Sequence, residues 1–152
     1  MTIKLSTGLR TAMAGDTGFG ATFADGVIHV YSGPQPVSAD SPVTGTLLGI
    51  VTMDGLPFAF GTATNGLVFD AADAGAISKS SALWQFTGIA NGTAGWFRLM
   101  GNASDALGAS TESPRLDGSI GTSNADLNLS NIAVVVGVPA TVDVFTFTIP
   151  SQ

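Results

Sequence analysis

From residue 26 onward, hydrophobic and polar residues alternate along most of the chain, which is the two-residue repeat of β-strands. The stretch GVIHVYSG places Val27, His29 and Tyr31 on one face and Ile28 and Val30 on the other. Similar segments recur between turn residues: TGTLLGIVTM, LPFAFG, LVFD, ALWQFTG, GWFRLMG, PRLDGSIGTS, ADLNLS, NIAVVVGV and TVDVFTFTIP. About eight or nine short strands at this spacing predict an all-β fold, a β-sandwich of jelly-roll type.

Local signals predict how some strands connect. Asp54-Gly55 suits a tight hairpin turn with positive φ between TGTLLGIVTM and LPFAFG. The loop IANGTA is of a length that would pair ALWQFTG with GWFRLMG as a hairpin. In the last segment the apolar positions change phase between Val144 and Phe145, which predicts a β-bulge or a bend between sheets.

The densest cluster of large side chains is in GWFRLMG. On a strand, Trp96, Arg98 and Met100 point to one face while Phe97 and Leu99 point to the other. The three adjacent residues Trp96, Phe97 and Arg98 therefore do not form one patch. We expect a core strand in which Arg98 stacks or pairs at the edge.

Before residue 26 the pattern is helical. Leu5, Leu9, Ala12 and Met13 follow helical spacing, with Ser6 or Thr7 as the cap and Gly15 at the end. The following GDTGFGATFADG is predicted to be a loop or a weak edge strand. The chain thus divides into a helix, arm and loop over residues 1–25 and a single β-sandwich domain over residues 26–152.

Composition adds an unusual surface to this picture. Hydrophobic residues make up 45% of the chain, an ordinary share, but charged residues make up only 11%, against about 25% in typical domains. A surface with so little charge indicates that partner subunits cover much of it. The alternative is a surface coated with Thr, Ser and Asn.

The sign and position of the charges exclude several partners. The chain has eleven Asp or Glu and five Lys or Arg, for a net charge of −6. The five cationic residues are scattered along the sequence, so direct binding of nucleic acid is not expected. No apolar run is long enough to cross a membrane and no basic amphipathic helix occurs, so no membrane partner is expected. The first residues lack the apolar stretch of a signal peptide, so Sec-type export is not expected.

Candidate catalytic residues are few, since the chain has no Cys and one His. His29 and Ser32 fall on opposite faces of their strand, so with Asp25 they would not form a triad, and a hydrogen-bonded sheet histidine is expected. The acidic pairs Asp70 with Asp73 and Asp105 with Asp117 suggest glycosidase carboxylates or a calcium loop, but no DxDxDG motif occurs. We therefore expect no enzyme activity, no cofactor and no metal.

Five motifs carry a family resemblance over nearly the whole chain: LSTGLR, YSGPQPVSAD, TNGLVFDAA, GTAGWFR and LDGSIGTSNADLNLSN. Together they resemble small structural proteins in the virions of tailed bacteriophages and prophages. The resemblance implies a head decoration (cement) protein, made in the host bacterial cytoplasm, that binds the major capsid protein on the outer capsid surface. It transfers no functional residue. A homotrimer is expected, because closed symmetry multiplies weak contacts.

The amphipathic N-terminal segment is our predicted contact with the capsid or with another subunit. Its residues are Ile3, Leu5, Leu9, Arg10 and Met13. The alternative is that this helix closes one end of its own domain. A rival function, an adhesion module on the tail or head that binds host glycans, would expose Trp84, Trp96 or Tyr31 beside Asn and Asp. A hydrolase acting on the host envelope would require His29 or an acidic pair.

Overall fold

A computed structural model describes residues 3–150, which form ten β-strands and two short helices. The strands are β1 (Lys4–Leu5), β2 (Val27–Ser32), β3 (Leu47–Met53), β4 (Ala76–Ser78), β5 (Trp84–Thr87), β6 (Gly92–Met100), β7 (Arg115–Gly121), β8 (Leu127–Leu129), β9 (Ala133–Val134) and β10 (Pro139–Thr148). The helices are α1 (Thr7–Ala14) and α2 (Phe19–Phe23). Neither helix in residues 3–150 has the length and apolar character needed to traverse a lipid bilayer.

Seven strands pair edge to edge in a closed ring, in the order β7, β8, β10, β5, β3, β2 and β6, with β6 returning to β7. All of these pairings are antiparallel except that of β7 with β8. The other three strands extend the barrel: β1 pairs with β7, β4 with β10, and β9 with β6. The predicted all-β class is confirmed. A jelly-roll sandwich is not confirmed, because the hydrogen-bonded ladder runs round one barrel.

Large aromatic side chains fill the interior of the barrel. Trp84, Phe86, Phe97 and Phe145 are all almost completely buried. The Phe145 ring lies 6.0 Å from the Trp84 ring and 5.9 Å from the Phe97 ring, measured between centroids. Burying a side chain of this size contributes about 1.5–3 kcal/mol. This core is the main source of stability in a chain that has no cysteine.

The last strand carries the irregularity that its sequence predicts. The register of β10 against β8 slips between Val142 and Val144, and both Val142 and Phe145 are buried while Val144 is exposed. The bulge turns the strand, which pairs with β5 before the slip and with β4 after it. The predicted change of phase is confirmed as a β-bulge.

The N-terminal helix is confirmed together with its cap. The Ser6 hydroxyl accepts a hydrogen bond of 3.0 Å from the Leu9 backbone N–H, and the helix ends at Gly15. Leu9, Phe19 and Phe23 belong to the same hydrophobic core as the barrel strands. Residues 3–25 therefore pack as part of the barrel domain.

Replacing Ser6 with alanine is expected to cost about 2 kcal/mol of unfolding free energy, the upper end for an N-cap. The Ser6 Oγ accepts from the Arg115 backbone N–H at 2.8 Å as well as from Leu9, so the variant leaves two buried donors unpaired. Urea unfolding measures the change, with the exposed Ser81→Ala as the matched control. Equal midpoints for the two variants would contradict the role of Ser6.

Two local predictions are wrong. The stretch GDTGFGATFADG contains the helix α2, in which Phe19 and Phe23 lie one turn apart and are both buried. Asp54 and Gly55 do have the predicted positive φ of 56° and 66°. After them, however, LPFAFG leaves the sheet, since Pro57 has no N–H to donate to a ladder.

The predicted hairpin of ALWQFTG with GWFRLMG is also wrong. The strand β5 pairs with β3 and β10, whereas β6 pairs with β2, β7 and β9. The loop after β5 contacts β3, because the Ile89 N–H donates to the Leu48 carbonyl at 2.9 Å. Loop length alone allowed a hairpin, but the two strands lie in different parts of the ring.

Candidate functional site

A polar and aromatic layer covers the outer face of β2, β6 and β7. The strand register aligns His29, Arg98 and Asp117 in one row, with Tyr31 and Trp96 in the next row. Phe97 belongs to the barrel core, while Trp96 and Arg98 do not. The predicted division of these neighbours between two faces is confirmed. Both outer side chains are nevertheless buried, because the segments 33–46 and 101–114 cover this layer.

Two buried ion pairs hold the layer together. The Arg98 guanidinium donates to both carboxylate oxygens of Asp117, each at 2.7 Å, and lies 5.6 Å from the centroid of the Trp96 ring. Arg115 forms the same kind of pair with Asp105. Both arginines also donate to the Ser41 carbonyl. Arg98 stacks and pairs as predicted, but the expected edge position is wrong, because β6 has β2 on one side and β7 on the other and the ion pair is fully buried.

Burial and hydrogen bonding set the acidity of these carboxylates. Burial opposes ionisation of Asp105, but hydrogen bonds from Arg115 and from the Leu107 backbone N–H outweigh it, so the Asp105 pKa is lowered. For Asp117, burial raises the pKa, and the Arg98 guanidinium opposes that rise. Asp105 and Asp117, considered together as a catalytic pair, thus each bind a different arginine.

His29 lies in the same layer and is almost completely buried. Its Nδ1 is 3.2 Å from the Tyr31 hydroxyl, which confirms the expected hydrogen-bonded sheet histidine. Burial lowers the His29 pKa to about 4, with Asp105 opposing this shift and Arg98 adding to it. Ser32 has a different partner, since its Oγ accepts from the Thr46 backbone N–H. The three residues considered for a triad do not come together.

The structure also places the second acidic pair and the aromatic residues of the glycan-binding alternative. Asp70 and Asp73 are exposed near β4, and residues 3–150 hold no group of three or more His, Cys, Asp or Glu placed to bind a metal. Trp84, Trp96 and Tyr31 are at most 2% exposed. A glycan-binding surface built on these three aromatic residues is therefore ruled out.

The predicted N-terminal contact residues divide between core and surface. Leu9 is fully buried, Arg10 is exposed and Met13 is half-buried. Ile3 and Leu5 line a groove of about 580 Å³. The burial of Leu9 favours the alternative that the helix closes one end of its own domain, while Arg10 remains available to a partner.

An apolar groove that the sequence analysis missed lies on the outer side of β3, and we call it the β3 groove. It has a volume of about 400 Å³. The hydrophobic side chains that line it are Ile50, Leu56, Pro57, Phe58, Phe60 and Ile89. Leu56 and Ile89 are 48% and 54% exposed, and the Phe58 and Phe60 rings pack edge to face at 5.1 Å. The only signal in the sequence was Pro57, because a proline interrupts the strand that the alternation in LPFAFG predicts.

The outward-facing charge is almost entirely negative. All five Lys and Arg lie within residues 3–150, and Arg10 alone among them is exposed. Lys4 and Lys79 direct their ammonium groups to backbone carbonyls. The exposed acids are Asp16, Asp54, Asp70, Asp73, Glu112 and Asp143.

The described residues thus present two apolar grooves and a layer that contains two buried ion pairs. Comparison with known proteins adds no relative, since no protein-family model, no curated protein and no solved structure matches the chain.

Proposed function

We propose that the protein is a structural component of a phage virion, a head decoration (cement) protein that binds the outside of the capsid shell without catalysing a reaction. The observation that carries the proposal is the β3 groove, an exposed apolar surface on a rigid barrel. The five motifs that resemble phage virion proteins add the biological setting. Under this proposal the chain is made in the bacterial cytoplasm and ends on the outer capsid surface.

Assembly as a homotrimer is part of the proposal. Exposed apolar clusters of this kind mark protein interaction sites in soluble proteins. In a closed ring of three subunits, each β3 groove would pack against a different surface of its neighbour, which removes Leu56, Phe58 and Ile89 from water. Three linked copies then bind a shell more tightly than one copy, because the later contacts form at high effective concentration.

The partner in this proposal is the major capsid protein, with neither nucleic acid nor membrane as a ligand. The charge distribution supports this choice, since Arg98 and Arg115 are buried in ion pairs and cannot reach phosphate groups. The alternative is an adhesion module that binds host glycans. It loses support, because its expected aromatic residues are buried.

If the homotrimer forms through the β3 groove, the double variant Leu56→Ser with Phe58→Ser is expected to be a monomer. Both side chains line the β3 groove, so the change removes apolar contact area between subunits without removing a core residue. Sedimentation velocity at micromolar protein measures the state. Val37→Ser is the matched control, because Val37 is 91% exposed and lies outside the groove. A monomeric wild type, or a trimer in the double variant, would overturn this part.

Binding to the outer capsid surface is tested on the purified virion that carries this chain. We expect cryo-electron microscopy to reveal density for the barrel repeated over the outer capsid, and density confined to the tail would favour the adhesion alternative. Arg10→Glu is expected to lower occupancy of the capsid, because it reverses the exposed cation. Leu9→Ala is unsuitable in the same experiment, since truncating this buried side chain costs about 2–5 kcal/mol.

A further inference from the structure

The groove of about 580 Å³ lies between two strand edges, and we call it the wall groove. One wall is β1, whose only strand partner in residues 3–150 is β7. The opposite wall is the end of β10, which pairs with β4 on its other edge. Ile3, Leu5, Thr146 and Thr148 line the groove from these two sides. No pairing joins β1 to β10 in the described part of the chain.

The hydrogen-bond pattern shows which backbone groups face the wall groove. The Ser6 N–H bonds to the Arg115 carbonyl, so alternate residues of β1 face β7 and the backbone groups of Leu5 face the groove. On β10, the Phe145 carbonyl accepts from Lys79 and the Ile149 N–H donates to Gly75, both on the β4 side. The backbone groups of Thr146 and Thr148 therefore point the other way, into the groove.

The two edges also have compatible directions. The strand β1 is antiparallel to β7, β7 is parallel to β8, and β8 is antiparallel to β10. It follows that β1 and β10 run parallel to each other. One extended segment running opposite to both can form antiparallel hydrogen bonds with either edge or with both.

The exposed charge of the described residues indicates which occupant the wall groove favours. Arg10 is their one exposed cation, whereas six acidic residues are exposed, so a cationic segment is attracted to this surface. None of the residues that line the groove is Lys or Arg, and Asp126 is among them.

We infer that the wall groove binds an extended, cationic segment of another protein by β-strand addition. The backbone groups of Leu5, Thr146 and Thr148 supply the hydrogen bonds. Leu5 and Phe147 line the groove with apolar surface that accepts alternate side chains of the segment. Lys or Arg at the intervening positions faces the acidic exterior. This inference concerns a surface other than the β3 groove and holds or fails independently of the proposed trimer.

The test uses two synthetic nonapeptides, one alternating valine with lysine and one alternating valine with glutamate. In hydrogen exchange followed by NMR, we expect the lysine peptide to protect the amides of Thr146 and Thr148. The Phe147 amide, already bonded on the β4 side, should change little. The glutamate peptide should bind at least about tenfold more weakly, a difference reached with one or two favourable charge contacts.

Two variants distinguish binding of the peptide through backbone hydrogen bonds from binding through side-chain contacts alone. Thr148→Pro removes an N–H from the groove edge and leaves the ladder to β4 intact, so the peptide should bind about fivefold more weakly or worse. Thr148→Val keeps the N–H and should bind as the wild type does. N-methylation of alternate amides in the lysine peptide makes the corresponding change without altering the protein, which covers a Pro variant that fails to fold.

Three results would overturn the inference. The first is the absence of protection at Thr146 and Thr148 at millimolar lysine peptide. The second is equal binding of the lysine and glutamate peptides, or of the N-methylated and unmodified peptides. The third is self-association that Thr148→Pro abolishes and Thr148→Val preserves, because a second copy would then be the occupant.

Discussion

Replacing Asp117 with alanine is expected to destabilise the protein by about 3–5 kcal/mol. The variant leaves the Arg98 guanidinium without its bidentate partner, and both side chains of the pair are 0% exposed. Water cannot take the place of the carboxylate at a site covered by residues 33–46 and 101–114, so the buried charge remains uncompensated. Urea unfolding at neutral pH, followed by tryptophan fluorescence, measures the loss.

The matched control for this experiment is Asp16→Ala, which removes an equal charge from an exposed position. Its effect is expected to stay within about 0.5 kcal/mol. The double variant Arg98→Met with Asp117→Leu should recover most of the stability, because an apolar pair of similar volume carries no desolvation cost. If the double variant were as unstable as Asp117→Ala, the loss would come from packing and not from an unpaired charge.

Acid is expected to remove about 3 kcal/mol of stability as the pH falls from 6.5 to about 4. His29 has its ordinary pKa of 6.5 in the unfolded chain, while burial lowers it to about 4 in the folded protein. Between these values the unfolded chain binds the proton and the folded protein does not, so lower pH favours unfolding. Above 6.5 both states are neutral and the contribution is constant.

The measurement is the free energy of unfolding across this pH range for the wild type and for His29→Gln. The glutamine can still hydrogen-bond to Tyr31 but does not titrate, so the loss of stability between pH 6.5 and 4 should largely disappear. Asp117 stays in the variant, and its raised pKa acts in the opposite direction, favouring the folded state as the pH falls. Asp105 acts in a lower range, because its lowered pKa makes its contribution disappear only below the ordinary value of 3.8. Identical slopes in the two proteins would contradict the assignment to His29.

Much of the fold could be predicted because local patterns were unambiguous. The alternation in β2 and β6, the Ser6 cap and the bulge near Val144 are encoded in a few consecutive residues. The partners of β5 could not be predicted, since Gln85 pairs with Thr52 on one side and with Thr141 on the other, both more than thirty positions away. The helix α2 was missed because the glycines at 18 and 20 obscured the spacing of Phe19 and Phe23.

The candidate surfaces were less predictable than the strands. The sequence predicted a contact with the capsid or another subunit at Ile3, Leu5, Leu9, Arg10 and Met13, and the structure puts the first two in the wall groove. It could not distinguish Leu9, which is buried, from its exposed neighbour Arg10 within the same helical turn. The β3 groove forms because the chain leaves the sheet after a turn and at Pro57, so that apolar residues lie outside the strands. The hydrophobic periodicity of the sequence does not predict this change of direction.

Closure of the barrel also determines when the chain can fold. Val27 pairs with Met100, and Gln85 pairs with Thr141, so contacts that seal the ring join residues far apart in the sequence. Chains dominated by such long-range contacts fold slowly, since much entropy is lost before the pairing compensates for it. A ribosome-bound chain ending before β10 lacks the strand that joins β5 to β8. The native barrel is therefore completed only after almost all of these residues have been synthesised.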